Sequence, residues 1–232
     1  MGVGQRIEQL NSYDLAGSTA TLSVNISNTL LTTVTWTASY ATSADTWSSK
    51  TQIATGTFTV TSSLVNYTAN ISIPSAATTG IEILFTVGAQ ISGTWTIGNV
   101  QLEAGSTASP FEYRSYGTEL ALCQRYYLQL NNVATDSLSQ TGACPNTTSG
   151  YCGVCFPVQM RSVPTFNYTS LSNIQAYTFG GSNGTILTLT LNAASPTGAF
   201  LSVTFSNTVT QYIGFYLRGT GASSSIQFSA EL

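Results

Sequence analysis

The sequence predicts an all-β protein: two antiparallel β-sandwich domains, jelly-roll-like, joined by one short helix. Three observations carry this. Apolar residues recur at every second position along much of the chain, the period of a strand with one buried face. Only 6% of the 232 residues are charged while 42% are hydrophobic, which is not the low hydrophobicity and high net charge of a disordered chain. The period changes to a helical one at a single place, 117–127, with strand-like runs on both sides. The boundaries read as a domain over 1–115, a helical connector over 116–129 and a second domain over 130–232.

In order along the chain, TATLSVNIS (19–27) places Ala20, Leu22, Val24 and Ile26 on one face. LTTVTWTASY (31–40) does the same with Val34, Trp36, Ala38 and Tyr40. TGTFTVTSS (55–63), LVNYTANISI (64–73), GIEILFTVGA (80–89) and GTWTIGNVQLE (93–103) continue the series, parted by the turn signals Pro74-Ser75, Thr79-Gly80 and Ser92-Gly93. About seven strands in a domain of this length fit a sandwich or jelly roll. GTELALCQRYY (117–127) then repeats Leu120, Cys123 and Tyr127 on one helical face, with Thr118 as the expected cap and Glu119 near the positive end of the dipole. A helix this short needs a surface to pack on. Residues 130–150 are polar and turn-rich and predict a long loop. Strand patterns resume at 151–160, 165–170, 173–180, 185–192, 200–206, 211–218 and 225–232.

The net charge is −3 and there is no histidine, a balance opposed to nucleic-acid binding, which rests on Lys and Arg. No apolar run is long enough to read as a helical membrane span, and residues 1–10 do not have the pattern of a signal peptide. A polar surface with few charges suits a protein that binds neutral polymers or assembles with itself. Without histidine, a Ser-His-Asp or Cys-His arrangement is excluded, and the nine carboxylates form no pair motif of a glycosidase. The expectation is a protein that is not an enzyme.

Glu8 and Glu103 lie on expected strands beside Arg6 and Gln101. They read first as partners in an ion pair that fixes strand register, and second as weak Ca²⁺ ligands; no other cofactor or metal is expected. The cysteines are Cys123, Cys144, Cys152 and Cys155. Free thiols, one or more disulfides (Cys144–Cys152 could staple the loop) and a metal site are the three readings, in that order. A single CxxC is not a Cys₄ zinc site, and on a strand Cys152 and Cys155 point to opposite faces.

Aromatic rings are the features best suited to binding. Sugars stack their C–H faces on rings and take hydrogen bonds from amides and hydroxyls. Trp36 and Trp95 are in phase with apolar neighbours and read as core. Trp47 lies in the polar stretch TSADTWSSK, read as a loop, and is the first-domain candidate. In the second domain the loops 181–184 and 219–224 are expected to present a distal surface, with Asn183, Tyr212 and Tyr216 as candidates.

The segments QRIE (5–8), LAGSTATLSV (15–24), WTIGNVQLEAGSTASPFEYR (95–114), GTELALCQRYY, FPVQMRSVPTF (156–166) and the terminal SAEL together resemble bacteriophage tail-fibre and receptor-binding proteins, in their carbohydrate-binding-like module and C-terminal tip. The connector and the MR..PT pair carry most of the specificity. The resemblance implies a virion tail protein, assembled in the host cytoplasm and trimeric at its tip, whose partners are its own copies, other tail proteins and a host-surface glycan. It implies neither nucleic-acid binding nor membrane insertion. A homotrimer would place Leu120, Cys123 and Tyr127 near its axis, and a reducing cytoplasm favours free thiols. Relatives usually carry an anchoring region and further strands before QRIE, which here begins at residue 5; the sequence then reads as a C-terminal piece or as a chain that docks by a face of its first domain. The alternative is a capsid-decoration or tail-joint structural protein with no receptor role.

Overall fold

Alternation in the first half places each apolar series indoors. In the computed structural model, which describes residues 1–29, 32–88, 93–132, 137–180, 183–220 and 224–231, Ala20, Leu22, Val24 and Ile26 are all fully buried. They belong to strand β2 (Thr19–Asn28), the centre of a three-stranded sheet ordered β5-β2-β7, with β5 at Val65–Ser72 and β7 at Trp95–Ala104. A second sheet is ordered β1-β6-β3-β4, from β1 (Gly2–Ile7), β3 (Thr33–Ser43), β4 (Thr46–Thr59) and β6 (Ile81–Thr86). Val34, Trp36, Phe58, Ile81, Ile83 and Phe85 of this sheet share one core with β2 and Ile71. A four-residue helix, α1 (Gln9–Ser12), follows β1.

The chain divides into two compact units, Met1–Tyr113 and Arg114–Glu231, and each has a core of its own. The second unit opens with α2 (Tyr116–Gln124) and continues through β8 (Tyr127–Asn132), β9 (Gly142–Ala143), β10 (Ser149–Cys155), β11 (Thr165–Tyr168), β12 (Ile174–Thr178), β13 (Gly184–Ser195), β14 (Gly198–Phe205), β15 (Gly214–Gly219) and β16 (Ser224–Ser229). All pairings in both units are antiparallel. The all-β class is therefore what the sequence predicts, with a small helix present. The larger sheet of the second unit closes on itself in the order β10-β14-β13-β12-β15-β9, and a three-stranded sheet, β11-β16-β8, adds Leu128, Ile226 and Phe228 to the same core.

Glycine makes room inside this small barrel. A Cβ on Gly150 would lie 2.5 Å from the Phe215 ring, and one on Gly184 would lie 2.6 Å from the Phe205 ring. Those two rings meet edge to face at 5.9 Å between centroids.

Four expectations are corrected. Trp47 is on strand β4, not in a loop: β3 and β4 are joined by the two-residue turn Ala44-Asp45, in which Asp45 takes a positive φ of 50°. The helix begins at Tyr116 and is capped by Ser115, whose Oγ accepts from the Thr118 N–H, so Thr118 is not the cap. Tyr127 opens β8 and is not on the helix face, because the helix ends at Gln124. The polar stretch 130–150 is not all loop, since it holds the end of β8, the short β9 and the start of β10. Residues 31 and 89 of the expected strands, 133–136 of the expected loop, 181–182 and 221–223 of the two expected distal loops, and Leu232 lie outside the described residues.

Candidate functional site

Strand β12 reads Ile-Gln-Ala-Tyr-Thr and β15 reads Gly-Phe-Tyr-Leu-Arg-Gly. Ile174, Ala176 and Thr178 of the first, and Phe215 and Leu217 of the second, are buried. Alternation therefore turns Gln175, Tyr177, Tyr216 and Arg218 to the outer face. The register sets Gln175 directly opposite Arg218 and Tyr177 opposite Tyr216, and opposed residues share a face and touch. The Tyr177 and Tyr216 rings are 5.4 Å apart and tilted by 49°. Phe179, just past β12 and 54% exposed, adds a third ring 5.8 Å from Tyr216. Gly214 permits this, because the Phe179 ring lies 3.0 Å from where its Cβ would be.

A polar end completes the row. The Arg218 guanidinium lies 4.1 Å from the Tyr177 ring centroid, a cation–π contact. Its Nε and Nη2 both donate to Gln175 Oε1, at 3.3 and 2.9 Å.

The outer face continues beyond β15. Gly214 pairs with Ala143 of β9, and Ala143 with Tyr151 of β10. Two strand spacings put the Tyr151 backbone about 10 Å from Gly214. Tyr151 stacks on Phe200 at 5.7 Å with the rings within 1° of parallel, and both are exposed. Small residues thus separate two aromatic groups on one barrel surface, and Ser202, Thr204, Thr188 and Thr190 bring hydroxyl-bearing side chains to the adjoining β14 and β13.

No family model matches this chain. No curated protein matches it. Among solved structures, a carbohydrate-binding module described as "CBM4 structure and function" is similar at 17% identity and a TM-score of 0.37, over 45% of this chain and 61% of that one. The match thus spans less than two thirds of that module, and no residue above is assigned from it.

Of the glycan-contact candidates, Tyr216 is a member of the aromatic row. Tyr212 is 79% exposed with φ of 63°, in the turn before β15, where its N–H donates to the Cys144 carbonyl at 2.6 Å. Asn183 is engaged in the β12–β13 hairpin: its Oδ1 accepts from the Thr178 N–H at 3.2 Å, and its carbonyl accepts from Asn207 at 2.9 Å. Trp47 is half-buried, with the Arg6 guanidinium 5.1 Å from its ring centroid and the ring edge against Gly80. Gln175, Tyr151, Phe200 and Arg218 were not sequence candidates. The odd-numbered series Gln175, Tyr177, Phe179 and its partner Tyr216-x-Arg218 are in phase against buried apolar series, and that is the signal that points to them.

The two carboxylates singled out in the sequence have separate roles. Glu8 is buried at the start of α1, with Asn11 Nδ2 at 3.5 Å from its Oε1. Arg6 pairs with Glu82 at 2.9 Å, and Lys50 bonds the other oxygen of Glu82. Burial pulls the Glu82 pKa up, while the hydrogen bonds and charges of Lys50 and Arg6 together hold it below its ordinary value. Glu82, at the centre of β1-β6-β3-β4, thus ties register through Arg6 and Lys50.

Glu103 lies on β7 with Asn99 and Gln101, and these three side chains hold the segment that follows. Glu103 accepts from the Ser109 hydroxyl at 2.6 Å, the Ser109 N–H at 2.8 Å and Gln101 Nε2 at 3.2 Å. Gln101 Oε1 accepts from the Glu112 N–H at 3.0 Å, and Asn99 donates to the Tyr113 hydroxyl at 3.2 Å. The Ser109 bonds lower the Glu103 pKa. Among the described residues no group of three or more His, Cys, Asp or Glu is placed to hold a metal ion.

All four cysteines are free, Cys144 and Cys152 buried and Cys123 and Cys155 exposed. Burial raises the Cys144 pKa and pushes that of Cys152 up to about 11, so these two are packing groups, not nucleophiles. Of the axis candidates, Leu120 is 40% exposed and Tyr127 38%. Helix α2 buries no residue.

Proposed function

We propose that the protein is a non-enzymatic glycan-binding component of a bacteriophage tail, attaching the virion to sugars of the host surface through the outer face of β12 and β15. The observation that carries the glycan reading is the row Gln175/Arg218, Tyr177/Tyr216, Phe179. Three clustered rings offer apolar area to the C–H faces of sugars, and the amide and guanidinium at one end offer directional hydrogen bonds. The tail assignment draws its support from the sequence segments that resemble tail-fibre and receptor-binding proteins.

Trimer formation belongs to the same proposal. Leu120, Leu122 and Cys123 stand exposed on a nine-residue helix, which is too short to be stable in water alone. Covering this helix with copies of itself would supply the missing packing. Sedimentation of the purified protein is expected to give three protomers, and Leu120→Asp to give one; a monomeric parent protein would remove the trimer.

The direct test of binding is a glycan array on the purified protein beside Tyr177→Ala and Tyr216→Ala. Each substitution is expected to lower binding several-fold with the fold retained. Loss of a ring contact is worth about 0.5–1.5 kcal/mol, and unaltered binding by both variants would move the site elsewhere.

A further inference from the structure

Arg218 differs from Arg6, Lys50 and Arg114 in its partners. Arg6 and Lys50 share the Glu82 carboxylate, and Arg114 reaches Glu119 at 3.4 Å. Arg218 has only neutral partners among the described residues, the Gln175 amide oxygen and the Tyr177 ring. A guanidinium carries five N–H donors in one plane. Two of them go to the single oxygen of Gln175, which holds the plane over the Tyr177 ring. The remaining three, on Nη1 and Nη2, form a fork whose natural acceptor is a planar carboxylate bound by both oxygens.

We propose that the ligand of the β12–β15 face is an acidic glycan, a chain containing uronic or sialic acid residues, with a sugar carboxylate paired to Arg218 and the rings of Tyr177, Tyr216 and Phe179 under the sugars. This rests on the glycan reading above and names its ligand class. It departs from what bulk composition suggests. A chain with so few charges reads as a binder of neutral polymers, yet its aromatic face ends in a cation with no anionic partner among the described residues. Sulfated and phosphorylated sugars share the negative charge but present tetrahedral groups, and the experiment separates them.

The test uses the full chain and a set of oligosaccharides with carboxylates, the same oligosaccharides after carboxyl reduction, and sulfated and phosphorylated sugars. Affinity is measured by titration calorimetry at low and moderate salt. The wild-type protein is expected to bind the carboxylate forms roughly tenfold or more tighter than the reduced forms, as a charge-assisted pair requires. That preference should shrink with salt. Arg218→Gln is expected to bind both forms alike, at the wild-type affinity for the reduced form, whereas a merely structural role would weaken both. Equal wild-type affinity for acidic and reduced forms overturns the inference and leaves the glycan reading intact, and needs no variant. A preference for sulfate or phosphate without one for carboxylate overturns it too. A carboxylate preference that survives Arg218→Gln removes Arg218 from the role. Binding to no saccharide at all removes the glycan reading, and the inference with it.

Discussion

In the first unit Trp36 lies over Gly56, where a Cβ would come within 2.7 Å of the ring, and Phe58 lies between Trp36 and Tyr67 at 6.3 and 5.4 Å. In the second unit a comparable set of rings, Tyr177, Phe179 and Tyr216, stands on the outer face of the barrel. Polar side chains divide the other way. On the outer face of β5-β2-β7, Asn66 donates to Asn25 at 2.9 Å and Thr21 to Asn70 at 3.0 Å, and Asn99, Gln101 and Glu103 are occupied by residues 109–113. A face whose donors and acceptors satisfy one another has little to offer a ligand. The β12–β15 face keeps its rings outward and its guanidinium without an anionic partner among the described residues, so the proposed binding role falls to the second unit and not to the first.

The largest test of this contrast is whether the units stand on separate cores. Phe215→Ala empties the centre of the barrel and is expected to cost about 3–5 kcal/mol. Ile26→Ala in the first unit is expected to cost about 2–5 kcal/mol. Calorimetric melting should resolve two transitions, each variant lowering one of them. A single transition lowered equally by both would show that the units do not unfold separately, and the contrast would lose its structural basis.

Rings offer the next test, in paired form. Trp36→Ala is expected to cost about 3–5 kcal/mol of first-unit stability and to leave glycan affinity unchanged. Tyr216→Ala is expected to do the reverse, a stability change of about 1 kcal/mol or less with loss of affinity. Measured by thermal melting and calorimetric titration, a Trp36 effect on affinity would place a binding role in the first unit.

Most of the first unit was legible because one-sided burial writes itself into the sequence: Ala20, Leu22, Val24 and Ile26 are all at 0% exposure. The exception is the start of β4. It is an edge strand, exposed through Thr46 and Ser48–Thr51, so no apolar alternation marks it, and a two-residue turn leaves no loop-length gap before it. Barrel closure was illegible for a similar reason, since β9 is two residues long and carries no period. The aromatic series of β12 and the Tyr216-x-Arg218 pair were each readable as outward-facing. Their union was not, because it depends on a pairing between strands some forty residues apart in sequence, and nothing local encodes that register. Tyr127 was misplaced because a helical spacing was extended past Gln124 into the first residue of a strand.

Acid provides the smallest effect and the one specific to the closed face. Glu103 is held below its usual value of 4.5 by the two Ser109 hydrogen bonds and by Gln101. A carboxylate with a depressed folded pKa contributes stability that is fully present above the unfolded value and lost as pH falls through the folded one. The attachment of residues 109–113 to β7 should therefore hold at neutral pH and loosen below about pH 4.5. Amide exchange reads this at one group: the Ser109 N–H, bonded to Glu103 at 2.8 Å, should lose protection as the pH is lowered, after correction for intrinsic exchange. Glu103→Gln should weaken that protection at neutral pH and abolish its dependence on acid, while the Glu112 N–H, bonded to Gln101, keeps more of its own. Identical pH profiles for the Ser109 amide in wild type and variant would mean that the carboxylate charge is not what fastens the segment. The closure of the first unit's outer face would then rest on its neutral amides and hydroxyls alone.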